Sequence, residues 1–542
     1  MNHIELFAGC GGLSLGLESA GFKLLMANEL SPMAGETFAY NFFEEDLSEL
    51  ARTQGAHAKP QRTKWLSSQF RFSDMAQRLR EDPRDYPLLG KGNTDITSAA
   101  DLEGSLVIGS IVQLNRWLSK NEEAKQYLKS GFDGSGVDLV SGGPPCQSFS
   151  MAGMREYKNS RNVLPMEFAN FVEQVQPRLA LLENVSGILR PFNVDGNQIY
   201  AWYEVAKAFV AAGYVPLCLH ANAKHAGVAQ SRPRFIMLLF RHDIYDLIQP
   251  SLNASEQHLL HPSGKFFRLA SANPSLGFGH LHCFDVKDSV DMRLFKASFL
   301  APLVNFSDSP FSVKDAIDDI KQHGGNPSAY KKQLDDLLSG HVAAHQMENH
   351  EQRRNGPLVT RRFRIYQVLE LVSKAAKKEA QRILAGEVLH LSVESAKELS
   401  KHKYLGEDGK MFKFRESQHL EMAHYLARHP TKKRTQKALD ASVPAPAALS
   451  IPDDACHYED LRTLSVREMA RIQSFPDNFA FRSKVTTGGQ MRKFEVPQYT
   501  QVGNAVPPLL GRALGAVVKD LLQRAKAIPV ETKDLNIIAE AA

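Results

Sequence analysis

The first thirty residues allow few folds. In MNHIELFAGCGGLSLGLESAGFKLLMANE an apolar run, Ile4 to Phe7, reads as a strand and stops at a glycine-rich turn. The turn opens a helical pattern with Leu13, Leu17 and Ala20 on one face, and Leu24 to Asn28 forms a second strand. A strand, a tight glycine turn, a helix and a second strand make the opening unit of a doubly wound α/β sheet. Ligands of such sheets gather beyond the carboxyl ends of the strands, where both the turn and Glu29 fall.

Further near-continuous apolar runs fit strands buried on both faces: Val137 to Gly143, Arg178 to Val185 and Arg234 to Phe240. Helical patterns at Pro165 to Gln174 and Tyr200 to Ala212 separate them. The α/β domain is therefore expected over residues 1–241, with a polar elaboration at about 41–136. Within that elaboration WLSSQFRFSDMAQRLRED is predicted helical, and Asp95 and Ile96 close a third strand or the turn after it.

The alternation is lost over 242–448, where a second, irregular and partly helical domain is expected. One basic amphipathic helix is predicted over 359–385, with Ile365, Leu369, Val372, Ala376 and Ile383 on a single face. Around it, residues 350–438 hold about twenty Lys/Arg against about ten Asp/Glu, although the whole chain carries only +5. That asymmetry permits a polyanionic partner. A Pro-rich linker then leads to a return segment, 449–527, in which Ser465 and Glu468 have capping-box spacing before Pro476, and 528–542 is a tail.

Composition excludes several classes. With 43% hydrophobic and 23% charged residues the chain is globular, and no apolar run approaches the ~18–20 residues of a membrane span. The strand at Ile4 leaves no room for a leader, so a cytoplasmic location is expected. Five cysteines, widely spaced and without a CxxC pair, fit reduced thiols rather than disulfides or a metal site.

Three constellations carry chemistry. FAGCGG, Phe7 to Gly12, suits close backbone approach to a ligand but lacks GxGxxG spacing, so by itself it fits a packing turn or a cofactor cradle. Glu29, about twenty residues on, is placed to take ribose hydroxyls. In SGGPPCQSFS two prolines stiffen the chain where a strand ends and present Cys146, a side chain nucleophilic as its thiolate. Glu183 ends another apolar strand as either a capping group or a functional acid, and Arg232 and Arg234 precede a further strand.

FAGCGG, GPPCQSFS, ENV, QSRPRF, REMARIQSFPDNF and QVGNAVPP, in that order, resemble the motif series of the C5-cytosine DNA methyltransferases, bacterial type, over about 1–241 and 450–527. The resemblance implies a Rossmann-like methyltransferase sheet, S-adenosylmethionine as cofactor, and a target recognition domain in 242–448. It implies Cys146 as the nucleophile on C6 of a flipped cytosine, Glu183 as the acid at N3, and Arg234, with Arg232, lining the base pocket. Cofactor contacts carry over to Phe7, Gly9, Cys10, Gly11, Gly12, Glu29, Leu30, Asp95, Ile96, Pro145, Leu164, Asn504 and Val506. Ala505 stands where members usually have serine. The residues after Gln147 resemble a loop that closes over DNA, with Arg155 and Lys158 for phosphates.

The partners so implied are duplex DNA, bound by a monomer, and a cognate restriction endonuclease sharing its site. A tRNA-methylating branch of the family is compact in its recognition region, unlike this chain. A catalytically silent DNA-binding regulator would not need Cys146, Glu183 and Arg234 intact. A dinucleotide-dependent oxidoreductase is more distant, and would bind NAD in place of S-adenosylmethionine.

Overall fold

The computed structural model describes residues 1–53, 59–145, 164–194, 197–431, 436–447, 451–489, 491 and 494–527. Its centre is one nine-stranded sheet. In chain order the strands are β1 (Asn2–Leu6), β2 (Lys23–Glu29), β3 (Thr63–Trp65), β4 (Ser105–Ile108), β5 (Leu139–Gly142), β6 (Leu179–Val185), β7 (Tyr214–Asn222), β8 (Pro233–Arg241) and β9 (Cys283–Asp285). Across the sheet they lie β9-β7-β8-β6-β5-β1-β2-β4-β3. β8 alone among them is antiparallel, to β6 and to β7. The winding reverses between β1 and β5, which pair directly, so the turns after these two strands meet at the switch point of a Rossmann-like sheet.

The first helix, Gly12–Ser19, is held by the last, Pro508–Ala527. Leu13 and Leu17 share a buried core with Leu510, Leu514 and Val517. The backbones approach too closely for side chains between them: a Cβ on Gly16 would meet the carbonyl of Pro508 and lie 2.5 Å from the Arg512 amide nitrogen. Gly511 and Gly515 face Gly16 and Ala20 in the same way. The C-terminal segment thus completes the layer that supports the N-terminal turn.

Several expectations change. Packing continues past residue 241: helix Ala254–Ala272 packs on β7, β9 extends the sheet, and Leu259, Phe295, Val313 and Leu334 belong to the core that contains Leu13. A separate core appears further on, where Phe363, Ile365, Leu369, Ile383, Leu399 and Tyr425 pack together. The predicted single helix over 359–385 is two, Pro357–Leu369 and Lys374–Leu384. Ser373 begins the second by accepting from the Ala376 amide at 3.3 Å, a capping signal that an apolar repeat does not reveal. Ile365, Leu369, Ala376 and Ile383 are nonetheless all buried.

The stretch from Trp65 to Asp82 is mostly irregular, with one turn of helix at Met75–Arg78. No sheet strand ends at Asp95; the strand beside β2 is β4. β7 escapes sequence reading because Pro216 interrupts it. β9 covers only Cys218 to His220, so Pro216 sits where one side of β7 is an open edge and a missing N–H is tolerated. Ser465 and Glu468 do form a reciprocal capping box on helix Val466–Ile472. The tail 528–542 and the loop after Gln147 as far as Val163 lie outside the described residues.

Candidate active site

The turn after β1 is shaped by backbone that side chains rarely adopt. Phe7, Gly9 and Gly11 have φ of 57°, 57° and 94°. In the glycines this is free, whereas in Phe7 it stores strain of about 1 kcal/mol or more. A Cβ on Gly9 would meet nothing within 4 Å, so the turn faces open space, while Gly12 is backed by the carbonyl of Val506. Cys10 points the other way, its thiol 3.8 Å from the Gln501 carbonyl, and burial pushes that thiol far up, so it stays protonated.

Glu29 ties the two loops together. One carboxylate oxygen accepts from the Gly9 amide at 2.8 Å and the other from the Ser31 amide at 2.8 Å. Removal from water raises its pKa, against these N–H bonds. Leu30, the next residue, is 44% exposed. Asn504 is exposed and Val506 half-buried beyond helix Gln498–Asn504, and Leu164 begins helix Leu164–Val175 against the sheet's other core.

On the other side of the switch point, β6 delivers Glu183 and β8 delivers Arg234. In the antiparallel register Glu183 faces Ile236 and Arg234 faces Val185, which sets both side chains on one face. Arg234 Nε lies 2.7 Å from Glu183 Oε1, and both side chains are largely buried. The chain from β5 passes close by: a Cβ on Gly143 would lie 3.1 Å from Glu183 Oε2. Asn184 Nδ2 donates to the Pro144 carbonyl at 3.0 Å, and Pro145 is exposed beyond it. Cys146 lies outside the described residues. The chain that leads to it is fixed beside Glu183.

Two expected site residues are placed differently. Arg232 does not join Glu183 and Arg234. Its Nη2 donates to the carbonyls of Gly503 at 2.8 Å and Ala505 at 3.0 Å, so it braces the helix end that carries Asn504. Burial lowers its pKa well below the usual arginine value. Asp95 is turned inward, accepting from Arg78 Nη1 at 2.6 Å and the Trp65 amide at 3.0 Å, and Ile96 is buried beside Leu66 and Leu102. The turn that sits next to Glu29 follows β4: the Gly109 amide donates to the Glu29 carbonyl at 2.9 Å, with Ser110 and Ile111 behind it. The apolar run SLVI before a glycine was the available signal for that strand.

An open glycine turn, the Glu29 carboxylate bound to it and the Glu183–Arg234 pair thus lie near the carboxyl ends of the central strands β1, β2 and β6. Comparison with known proteins gives the class of the chain. The model of the C-5 cytosine-specific DNA methylase family matches residues 1–61 and 113–520. The chain belongs to that family and is a DNA cytosine-5 methyltransferase. It is similar to the Type II methyltransferase M.DdeI of Desulfomicrobium norvegicum, 24% identical over 95% of this chain and 87% of the relative. The Type II methyltransferase M.AgeI of Thalassovita gelatinovora is 27% identical over 71% of this chain and 83% of its own length. Among solved structures, a putative DNA modification methyltransferase from an Escherichia coli prophage is 19% identical, covering 96% of this chain and 99% of that one, with a TM-score of 0.44. Among the described residues no helix is long and apolar enough to cross a membrane.

Proposed function

We propose that the chain methylates C5 of a cytosine flipped out of a specific duplex DNA sequence, with S-adenosylmethionine as donor and Cys146 as nucleophile. The observation that carries this reading is the Glu183–Arg234 pair at 2.7 Å, standing beside the segment that ends in Cys146. Cytosine C5 is a poor nucleophile until the ring is activated. Attack of the Cys146 thiolate on C6 breaks the aromaticity and drives electron density to C5, while Glu183 meets the charge developing at N3. Arg234 fixes the Glu183 carboxyl and presents its remaining N–H groups to the polar edge of the base. When bound, the cofactor supplies an electrophilic sulfonium methyl. Loss of the C5 proton and expulsion of the cysteine then restore the base.

The donor set fits that cofactor. Gly9 offers open space to it, Glu29 two carboxylate oxygens to a ribose, and Leu30 an exposed apolar face to a purine. Arg232 holds the segment that carries Asn504 and Val506 at the rim. The relatives' designation as Type II methyltransferases supports a restriction-modification setting, with an endonuclease that cuts the same unmethylated sequence.

Bisulfite sequencing of DNA from a methylation-free host expressing the chain tests the reading. Protected cytosines are expected in one sequence context with the natural chain and none with Cys146→Ser. Glu183→Gln should slow methyl transfer on that DNA by about 10²-fold or more. Full conversion of every cytosine with the natural chain, or protection persisting in Cys146→Ser, would refute it.

A further inference from the structure

We propose that residues 66–98 build the outer wall of the nucleoside site, with Tyr86 as the residue that positions Leu30 against the adenine of S-adenosylmethionine; this rests on the cofactor reading above. The family match stops at residue 61 and resumes at 113, so the wall is not part of the shared family pattern. A nucleoside whose ribose is held by Glu29 must extend its base away from the glycine turn. Leu30, next to Glu29, offers it an apolar surface that is 44% exposed.

The backbone of Leu30 is gripped from the insertion. Tyr86 is buried and its hydroxyl donates to the Leu30 carbonyl at 3.2 Å. Burial, with the Glu81 and Glu29 carboxylates nearby, pushes the phenol well above its usual range, so it remains a neutral donor.

The segment that carries Tyr86 is itself rigid. The Arg78–Asp95 ion pair at 2.6 Å is fully buried, and the Arg78 guanidinium also lies 5.1 Å from the Trp65 ring. Arg84 spans outward from the same segment, with its guanidinium 3.3 Å from the centre of the Phe494 ring. Phe494 belongs to the chain that enters helix Gln498–Asn504, and Gln501 of that helix donates to the Met33 carbonyl at 3.1 Å, just after Leu30. The insertion therefore bridges the Leu30 turn and the chain that enters helix Gln498–Asn504, and Asp95, given to the cofactor by motif alone, serves that bridge from within.

Tyr86→Phe in the full chain removes the hydrogen bond and keeps the ring. Binding of S-adenosylhomocysteine by calorimetry should weaken about 3- to 10-fold, as one lost hydrogen bond allows. The KM for S-adenosylmethionine should rise in step, while kcat at saturating cofactor and the KM for unmethylated genomic DNA stay within about twofold. Arg84→Ala, at an exposed side chain, should weaken cofactor binding in the same direction. Unchanged affinity in both variants overturns the proposal, as does a loss falling equally on kcat and the DNA KM. Should Tyr86→Phe fail to fold, Arg84→Ala decides by the same criterion. A natural chain that binds no S-adenosylhomocysteine refutes the cofactor reading itself, an outcome separate from unchanged variants.

Discussion

Two arginines two positions apart do different work, because only Arg234 lies on β8 while Arg232 stands just before the strand begins. Arg234 shares a face with Glu183 and enters its ion pair, whereas Arg232 reaches the carbonyls of Gly503 and Ala505. A second division of labour concerns acids. Glu5, buried in the middle of β1, has its carboxyl pushed up to about 8 by loss of water, opposed by its hydrogen bond with Ser14. An ordinary glutamate ionises near 4.5 in the unfolded chain. Between those values unfolding releases a proton, so Glu5 makes the fold less stable as pH rises from about 4.5 to about 8 and adds no further slope above that. Its slope is at most about 1.4 kcal/mol per pH unit. Glu5→Gln should therefore raise the urea midpoint relative to the natural chain at pH 8, with the gap narrowing toward pH 5; a constant gap would contradict the assignment.

At the scale of elements, the contact between the first and last helices is set by glycine. Gly16→Val places atoms where Pro508 and Arg512 backbone stand, so the helices must separate. A cost of about 1–3 kcal/mol or more is expected in urea unfolding, with weaker cofactor binding because the glycine turn rides on the first helix. The turn after β1, the strand that carries Glu183 and the Ser465 capping box were legible because each depends on neighbours a few residues away. β7 was not, since Pro216 breaks a local strand pattern and only the short reach of β9 makes it tolerable. The acid at 95 was misplaced for a related reason. An Asp-Ile pair looks the same in any turn, and only the pairing of β4 with β2 shows that Gly109 and Ser110 occupy the position beside Glu29. The residues proposed for the catalytic face could be named from motifs; the Glu183–Arg234 pairing could not, because it comes from an antiparallel register across about fifty residues of chain.

Over the whole molecule, charge and core are partitioned together. The helices between Pro357 and Ala427 have a core of their own and lie within the stretch where Lys/Arg outnumber Asp/Glu about two to one. Lys374 and Lys378 are exposed, opposite the buried Ala376, Ala380 and Ile383 of their helix. If that face follows phosphates, Lys374→Glu with Lys378→Glu should lower duplex affinity. The slope of log affinity against log salt should flatten by about two units, with the melting temperature unchanged. An unaltered slope would assign the face to solvent. The docking of the last helix on the first has a different kind of consequence, for synthesis. A ribosome finishes the glycine turn within the first dozen residues, yet Val506, Pro508 and Leu510, which back and bury it, are made some five hundred residues later. A chain cut short before them keeps Cys146, Glu183 and Arg234 and lacks the backing of the turn proposed to hold the donor, so an unfinished product should leave the host's DNA unmarked.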